Sequence, residues 1–297
     1  QPICYDTSPG VLNVVTPATG GSEDFTYVWE NTSSQEEIGS GVSVLVDNLT
    51  SDQTYDCTAI DALCGSIVSN SISVQVFDDL EAPVISNDLD NESICYNTSA
   101  GSMVESVSAT GADGNFDIQW YSEGQGESPM PVGFNSPSYS SPSITDTTLY
   151  YAVYTSTYGC GDVTSNSILI NVLPDYEMPT LTPSISGDIC YGSDLTVTAE
   201  DFVNHPWLEY QWFEYSSSGS SSEVGDGSLS VSFSSLAEDF SVSLDVTSTY
   251  DCGTLSTPVL SLNVLDELVA PVIDDNINGQ PICYDTSPGV LNVVTPA

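Results

Sequence analysis

Residues 116–121 read FDIQWY, and the segments 25–30, FTYVWE, and 208–213, LEYQWF, follow the same pattern. In each segment every second residue is large and apolar, and the third of these is a tryptophan. A period of two predicts a half-buried β-strand that ends on an inward-facing Trp. The three series are Phe25, Tyr27 and Trp29; Phe116, Ile118 and Trp120; Leu208, Tyr210 and Trp212.

Alternating apolar residues also mark strands on either side of the Trp segments. Ser, Gly, Asn, Asp and Pro separate these strands, and no segment keeps a helical period. About seven short strands per unit, with a Trp in the third, predict an all-β fold of immunoglobulin-like β-sandwiches. The flanking series are Leu12 and Val14; Leu195, Val197 and Ala199; Ile72, Val74 and Val76; Ile168, Ile170 and Val172; Leu260, Leu262 and Val264.

The chain contains internal repeats on two scales. Residues 280–297 are identical to residues 1–18, so a unit of 279 residues returns to its own start. The tripeptide ICY begins at residues 3, 94, 189 and 282, which divides that unit into three related repeats of about 93 residues. We therefore predict a rod-like array of domains at residues 1–78, 79–174 and 175–266. The first is expected to lack its N-terminal strand, and residues 267–297 begin the next copy.

Composition excludes several classes of function. The 297 residues include 42 Asp and Glu but no Lys or Arg, which gives a formal net charge of −42. Nucleic-acid binding and attraction to anionic membranes both depend on basic side chains, so neither is expected. The sequence also has no apolar run long enough to insert into a membrane. The 40% hydrophobic and 9% aromatic content indicates a folded chain despite the charge.

Six of the eight cysteines recur once early and once late in each repeat. Pairing within a repeat gives Cys4–Cys64, Cys95–Cys160 and Cys190–Cys252, with similar spacings, and this is the predicted disulfide set. Buried free thiols and cross-links between domains or chains remain open alternatives. A zinc site is disfavoured because no CxxC pair or His cluster exists.

Cys57 falls outside that scheme. It occupies an inward strand position that Ala152 and Leu244 fill in the other repeats. It lies in a Tyr-x-Cys motif, but the facing early strand carries Leu12 and Val14 rather than a cysteine. We predict a free, buried core thiol.

The linkers between repeats have constant length and are acidic. They read FDDLEAP, LPDYEMP and LDELVAP, contain Pro but no Gly, and are expected to set a defined geometry between domains. Carboxylates are ligands for Ca²⁺, so the sequence permits calcium at these junctions, although no D-x-D-x-D loop occurs. No other cofactor is expected. The candidate ligands are Asp79, Glu81, Asp175, Glu177 and Glu267.

The order of these elements resembles a known family of repeats. ICY, a Gly-rich turn, a strand ending in Trp and a Thr/Tyr-rich strand before a Gly-Cys turn are similar to the immunoglobulin-like repeats of giant surface adhesins of Bacteroidota. Those adhesins include the gliding-motility adhesin exported by type IX secretion. The resemblance covers the whole chain and implies an extracellular, cell-surface filament or stalk. The absence of Lys and Arg departs from a typical member.

Catalytic chemistry has little basis in this sequence. The single histidine, His205, cannot serve three similar domains, and an enzyme is not expected. Trp207 has no counterpart in the other repeats, so with His205 and Tyr210 it forms a candidate ligand surface, with loop packing as the favoured interpretation.

The preferred interpretation is a disulfide-clamped structural repeat of a long extracellular fibre or adhesin stalk. Its expected partners are further copies of the repeat in the parent chain. One alternative is a filament or sheath subunit that associates laterally through divalent cations. Another is an array of carbohydrate-binding modules.

Overall fold

The structure, a computed structural model, describes residues 1–216, 219–273, 281, 284, 285 and 287, with backbone positions for 293–295. All regular secondary structure in these residues is β-strand. None of them forms a helix with the length and apolarity that crossing a membrane requires. The chain divides into two compact units, residues 1–174 and 175–297, and the division lies where the second and third predicted domains meet. Most of the predicted further copy at 267–297 lies outside the described residues.

The first repeat is a two-layered sandwich. One sheet has the order β3-β2-β5-β6 with β7 also on β5, and β1 pairs with β4 in the other layer. The strands are β1 (Gly10–Asn13), β2 (Phe25–Asn31), β3 (Glu36–Ser40), β4 (Ser43–Val46), β5 (Gln53–Asp61), β6 (Gly65–Val68) and β7 (Ile72–Val74).

The second repeat has the same plan. Its larger sheet runs β10-β20-β18-β14-β15 with β19 on β18, and its second layer is β16-β12-β9; β11 pairs with β17 and β13 with β8. The strands are β8 (Asp78–Glu81), β9 (Val84–Ser86), β10 (Ser93–Ile94), β11 (Thr98–Ser99), β12 (Ser102–Val107), β13 (Thr110–Ala112), β14 (Phe116–Gly124), β15 (Met130–Phe134), β16 (Ser138–Ser140), β17 (Ser143–Ile144), β18 (Thr148–Ser156), β19 (Asp162–Thr164) and β20 (Ile168–Val172).

The third repeat again pairs one sheet, β24-β23-β26-β27 with β28 on β26, with a layer β21-β22-β25, and a short pair β29-β30 follows it. The strands are β21 (Thr180–Pro183), β22 (Leu195–Glu200), β23 (Leu208–Tyr215), β24 (Ser221–Val224), β25 (Ser230–Phe233), β26 (Phe240–Ser248), β27 (Thr254–Ser256), β28 (Leu260–Leu262), β29 (Val272–Ile273) and β30 (Val293–Thr295).

The predicted Trp strands form the centre of each core. Trp29, Trp120 and Trp212 are buried, and each lies directly opposite the inward residue of the neighbouring long strand: Cys57, Ala152 and Leu244 respectively. Each indole N–H donates a 2.9 Å hydrogen bond to a backbone carbonyl, that of Gly41, Ser136 or Ser228. A buried indole therefore has its polar atom satisfied, and the immunoglobulin-like, all-β prediction is confirmed.

Candidate functional site

The early and late cysteines lie at opposite ends of each sandwich. In the first repeat Ile3 forms a parallel bridge to Val76, beside the end of β5 that begins at Gln53. Cys64 follows the other end of β5, after Asp61. Nine residues of strand span about 26 Å, whereas a disulfide requires Cα atoms within about 7 Å. Cys4 and Cys64 therefore cannot bond.

Cys4 bonds instead to Cys160 of the second repeat, with Cα atoms 5.3 Å apart and a sequence separation of 156. Cys64 and Cys190 are free and exposed. Cys95 and Cys252 are each disulfide-bonded. The predicted pairings Cys4–Cys64, Cys95–Cys160 and Cys190–Cys252 are therefore wrong, because each would have to cross the full length of its sandwich.

The linker between the first and second repeats contains the strand β8. β8 pairs antiparallel with β13 of the second repeat, with Glu81 opposite Thr110 and Asp78 opposite Ala112. The Thr110 hydroxyl donates to Glu81 at 3.1 Å. Gly111 has a φ of +95°, and a Cβ at that position would lie 2.0 Å from the backbone oxygen of Asp79. Only glycine therefore allows the linker to approach this closely.

Aromatic and apolar contacts lie beside the disulfide. The ring of Tyr158 meets Phe77 edge to face at 4.8 Å, and its hydroxyl donates a 2.8 Å hydrogen bond to the carbonyl of Pro2. Leu80 of β8 lies next to Gly161, and a Cβ added at Gly161 would be 3.7 Å from the Leu80 Cδ1 atom. We call this set of contacts, with Cys4–Cys160 and β8–β13, the first junction.

A side chain at the end of each long strand shapes the turn that carries the late cysteine. The Oδ1 atom of Asp61 accepts hydrogen bonds from the N–H groups of Leu63 and Cys64, both at 2.8 Å. In the other repeats a serine hydroxyl takes this place, since Ser156 and Ser248 accept from the N–H two residues later. The late cysteine is thus held in an ordered turn in all three repeats.

Asp61 is buried, and hydrogen bonds lower the pKa of its carboxyl well below the usual 3.8. The largest cause is the N–H of Leu63, followed by the hydroxyl of Ser22, with the N–H groups of Ser22 and Cys64 adding to it. Donors that favour the ionised form explain how this carboxylate is buried without a basic partner.

The predicted calcium ligands are placed separately. Asp79 and Asp175 each accept a hydrogen bond from the next residue's N–H, and Glu81 accepts from Thr110. Glu177 and Glu267 are exposed. The residues that the structure describes contain no group of three or more His, Cys, Asp or Glu side chains arranged to hold a metal ion. Calcium at the linkers stays a prediction.

Trp207 contacts two other rings. His205 stacks on it at 4.9 Å with 12° between the ring planes, and Tyr176 meets it edge to face at 5.6 Å. Its backbone oxygen accepts hydrogen bonds from both the N–H and the hydroxyl of Thr249. Tyr210 instead donates to Asn204. These contacts are those of a packed loop, and ligand binding by Trp207 stays a prediction.

Cys57 is free and buried, as the sequence predicts. It packs with Trp29 and Val44, and its N–H donates to the Ser69 hydroxyl at 2.9 Å. Burial raises the pKa of its thiol, with the charge of Asp56 as a second cause. This cysteine is a core residue and takes no part in cross-linking.

Spacing along the chain favoured pairing within a repeat, whereas the observed bond joins two repeats and so matches the alternative of a cross-link between domains. The sequence also contains a signal for this bond. The early cysteine precedes the first strands, and the last strand of the repeat runs beside it into the linker. The late cysteine lies in the turn after the Tyr-rich long strand, at the end where a preceding linker arrives. Following strand direction rather than spacing would have placed Cys4 and Cys160 together.

The second repeat matches a family model described as "Domain of unknown function (DUF8696)", over residues 86–174. No curated protein matches the chain. The family match covers one repeat of three.

The chain is similar, at low sequence identity and with low TM-scores, to several solved structures. "Sidekick-1 immunoglobulin domains 1-5" is 12% identical, over 90% of this chain and 57% of that one, with a TM-score of 0.28. "Structural basis for Dscam isoform specificity" is 14% identical, over 88% and 70%, with a TM-score of 0.32. "Crystal structure of chicken CNTN1 FN1-FN3 domains" is 14% identical, over 86% and 98%, with a TM-score of 0.26. The chain spans less than two thirds of the Sidekick-1 structure, and its fold assignment rests on its own strand pairing.

Proposed function

We propose that the chain is a load-bearing segment of an extracellular stalk or fibre, in which cross-linked sandwiches transmit tension along the array. The role is mechanical and non-catalytic. Adhesive contacts belong to other parts of the parent protein or are weak and multiplied along the repeats.

The observation that carries this proposal is the Cys4–Cys160 bond at the first junction. A disulfide inside one sandwich would stabilise only that sandwich against unfolding under force, whereas this disulfide joins two successive repeats. A pulling force that enters near Cys4 reaches Cys160 through the bond, without loading the intervening chain, since the two cysteines have a sequence separation of 156. The β8–β13 pairing also removes the slack that a flexible linker would leave.

Disulfide use and charge support an extracellular location. Disulfides persist in oxidising compartments such as the cell exterior. A net charge of −42 makes repeats repel one another, which favours an extended, soluble array. The absence of Lys and Arg also leaves no cleavage site for trypsin-like proteases. The likeness to Bacteroidota adhesin repeats agrees with a cell-surface stalk, and gliding or type IX export would be its finer role.

Single-molecule stretching tests the proposal. The chain is pulled from its two ends in oxidising buffer and again after dithiothreitol. Because the bond shields 156 residues of sequence, reduction should lengthen the fully extended chain by at least about 500 Å, at roughly 3.3 Å per residue.

The Cys57→Ser variant is the matched control, since Cys57 is a free core thiol and its loss should leave the oxidised length unchanged. Equal extension before and after reduction would show that the cross-link bears no load, and the stalk function would fail.

A further inference from the structure

Two of the cysteines that the structure describes are free and exposed, and they lie at opposite ends of their repeats: Cys190 is the early cysteine of the third repeat and Cys64 the late cysteine of the first. We propose that Cys190 forms a disulfide with the Cys64 of the next copy of the 279-residue unit, which closes a junction between copies like the first junction. This inference deepens the proposed stalk function and rests on it, because it extends the same cross-link along the whole array.

The cysteine order supports this pairing. Cys4 is the early cysteine of the first repeat, and it bonds to Cys160, the late cysteine of the second. The next early and late cysteines in that scheme, Cys95 and Cys252, are both disulfide-bonded. The third early cysteine is Cys190. Its late partner belongs to the fourth repeat, which starts as an identical copy of residues 1–18, so that partner is a copy of Cys64.

Cys190 is held in the same backbone frame as Cys4. In the first repeat Ile3 donates to the carbonyl of Gln75 and accepts from the N–H of Phe77, both at 2.9 Å. In the third repeat Ile189 donates to Asn263 at 2.9 Å and accepts from Leu265 at 2.8 Å. Each cysteine therefore follows an isoleucine anchored beside the last strand, at the end where the linker leaves.

An exposed apolar residue beside Cys64 corresponds to the aromatic residue beside Cys160 in the first junction. Leu63 comes two residues after the end of its strand, as Tyr158 does, and 84% of it is exposed. Tyr158 packs on Phe77, and the residue at the place of Phe77 after the third repeat is the partly exposed Leu265. An apolar Leu63–Leu265 contact would thus replace the Tyr–Phe contact.

The linker after the third repeat also resembles the linker of the first junction. Leu268 occupies the place that Leu80 has in the first linker, and it is 93% exposed. Leu80 lies next to Gly161, the residue after Cys160, and the residue after Cys64 is Gly65. The occupant of the Cys64 surface is therefore the end of a preceding copy, whose Leu265 and Leu268 would be covered there.

The bond forms by oxidation of two thiols. The two protons and two electrons pass to the disulfide of an oxidoreductase by thiol–disulfide exchange, which leaves that disulfide as a dithiol. The exposed position of both cysteines gives such a catalyst access.

The test uses the chain extended by a second copy of residues 1–279, produced under oxidising conditions. Free thiols are alkylated, the unreduced protein is cut with a Glu-specific protease, and linked peptides are identified by mass spectrometry. We expect one linked pair that joins Cys190 of the first copy to Cys64 of the second, alongside the Cys4–Cys160 pair as an internal control.

Alkylated Cys190 and second-copy Cys64 in a protein that retains Cys4–Cys160 would overturn the inference and leave the stalk function standing. Bonding of either cysteine within its own repeat, or only between separate molecules, would overturn it as well. The stalk function is tested separately: it would fail if stretching gave the same extension before and after reduction of Cys4–Cys160.

A cysteine variant gives a reciprocal check. Cys190→Ser in the first copy should expose one additional alkylatable thiol, at Cys64 of the second copy, while Cys57→Ser should expose none there. If Cys190→Ser impairs folding, as judged by loss of the Cys4–Cys160 pair, then Cys64→Ser in the second copy should free Cys190 instead. An unchanged thiol count in a folded variant contradicts the pairing.

Discussion

The carboxylate of Asp61 accepts four hydrogen bonds, two from the turn that bears Cys64 and two from Ser22. The other repeats use a serine hydroxyl at this place, which orders the turn with a single acceptor. In the first repeat one carboxylate therefore joins the turn to a second loop. This arrangement works without a cation because donors surround the charge.

Asp61→Asn should destabilise the first repeat in a pH-dependent manner. The pKa of Asp61 is lowered from 3.8 on folding, so its contribution is complete above pH 3.8 and is lost as the pH falls below it. The amide would also place an N–H₂ group opposite the donors of Ser22. We expect the difference in melting temperature between variant and parent to be largest at pH 6 and to shrink towards pH 2.

Thermal unfolding followed by circular dichroism across this range measures the difference. Asp226→Asn, at an exposed site in the third repeat whose pKa is also lowered, is a control that should change the first repeat little. A constant difference at every pH would assign the effect of Asp61→Asn to packing rather than to charge.

At the scale of elements, the first linker is part of the second sandwich, because β8 adds to β13 as a strand. The sequence indicated a linker of constant length with a defined geometry, but not that it forms a strand. The close approach at Gly111 lets the linker pair with β13, so the linker can leave this position only if the backbone hydrogen bonds between β8 and β13 break.

Gly111→Ala should loosen this junction, and Gly114→Ala is its matched control. Both glycines have positive φ, +95° and +76°, so both substitutions carry a backbone cost of about 1 kcal/mol. Only at Gly111 would the new Cβ meet backbone, 2.0 Å from the Asp79 oxygen, whereas Gly114 has nothing within 4 Å.

Hydrogen exchange of the linker amides measures the outcome. We expect faster exchange at residues 78–81 in Gly111→Ala and an unchanged rate in Gly114→Ala. Equal protection in the two variants would mean that β8 does not depend on the approach at Gly111.

Across the chain, 42 Asp and Glu residues face no Lys or Arg, so ions from solution are the main source of positive charge. Sodium chloride should raise the melting temperature by screening repulsion, with a Debye length of about 10 Å at 0.1 M. Ca²⁺ at the linkers should add to this at equal ionic strength. Sites of the affinity usual for extracellular modules would contribute about 2 kcal/mol each at 10 mM Ca²⁺.

Melting curves with CaCl₂, with NaCl of equal ionic strength and with EDTA separate these effects. A further rise with Ca²⁺, reversed by EDTA, is the expected result, and light scattering in the same titration reports lateral bundling. Identical curves in CaCl₂ and NaCl would contradict specific calcium binding.

The local structure and the repeat can be read from the residue pattern alone. Alternation at period two fixed the Trp strands, because one face of each strand must be buried, and Trp29, Trp120 and Trp212 are all in cores. The same alternation placed Cys57 inside. Identity between residues 1–18 and 280–297 established the tandem array.

Which cysteines meet depends instead on how the strands are arranged in the folded chain. Spacing along the chain favoured Cys4 with Cys64, but a nine-residue strand holds them at opposite ends of the sandwich. The partner of Cys4 lies 156 residues away, because the end of one repeat abuts the start of the next. Strand pattern depends on neighbouring residues and can be read locally, whereas a cross-link depends on which ends the folded strands bring together.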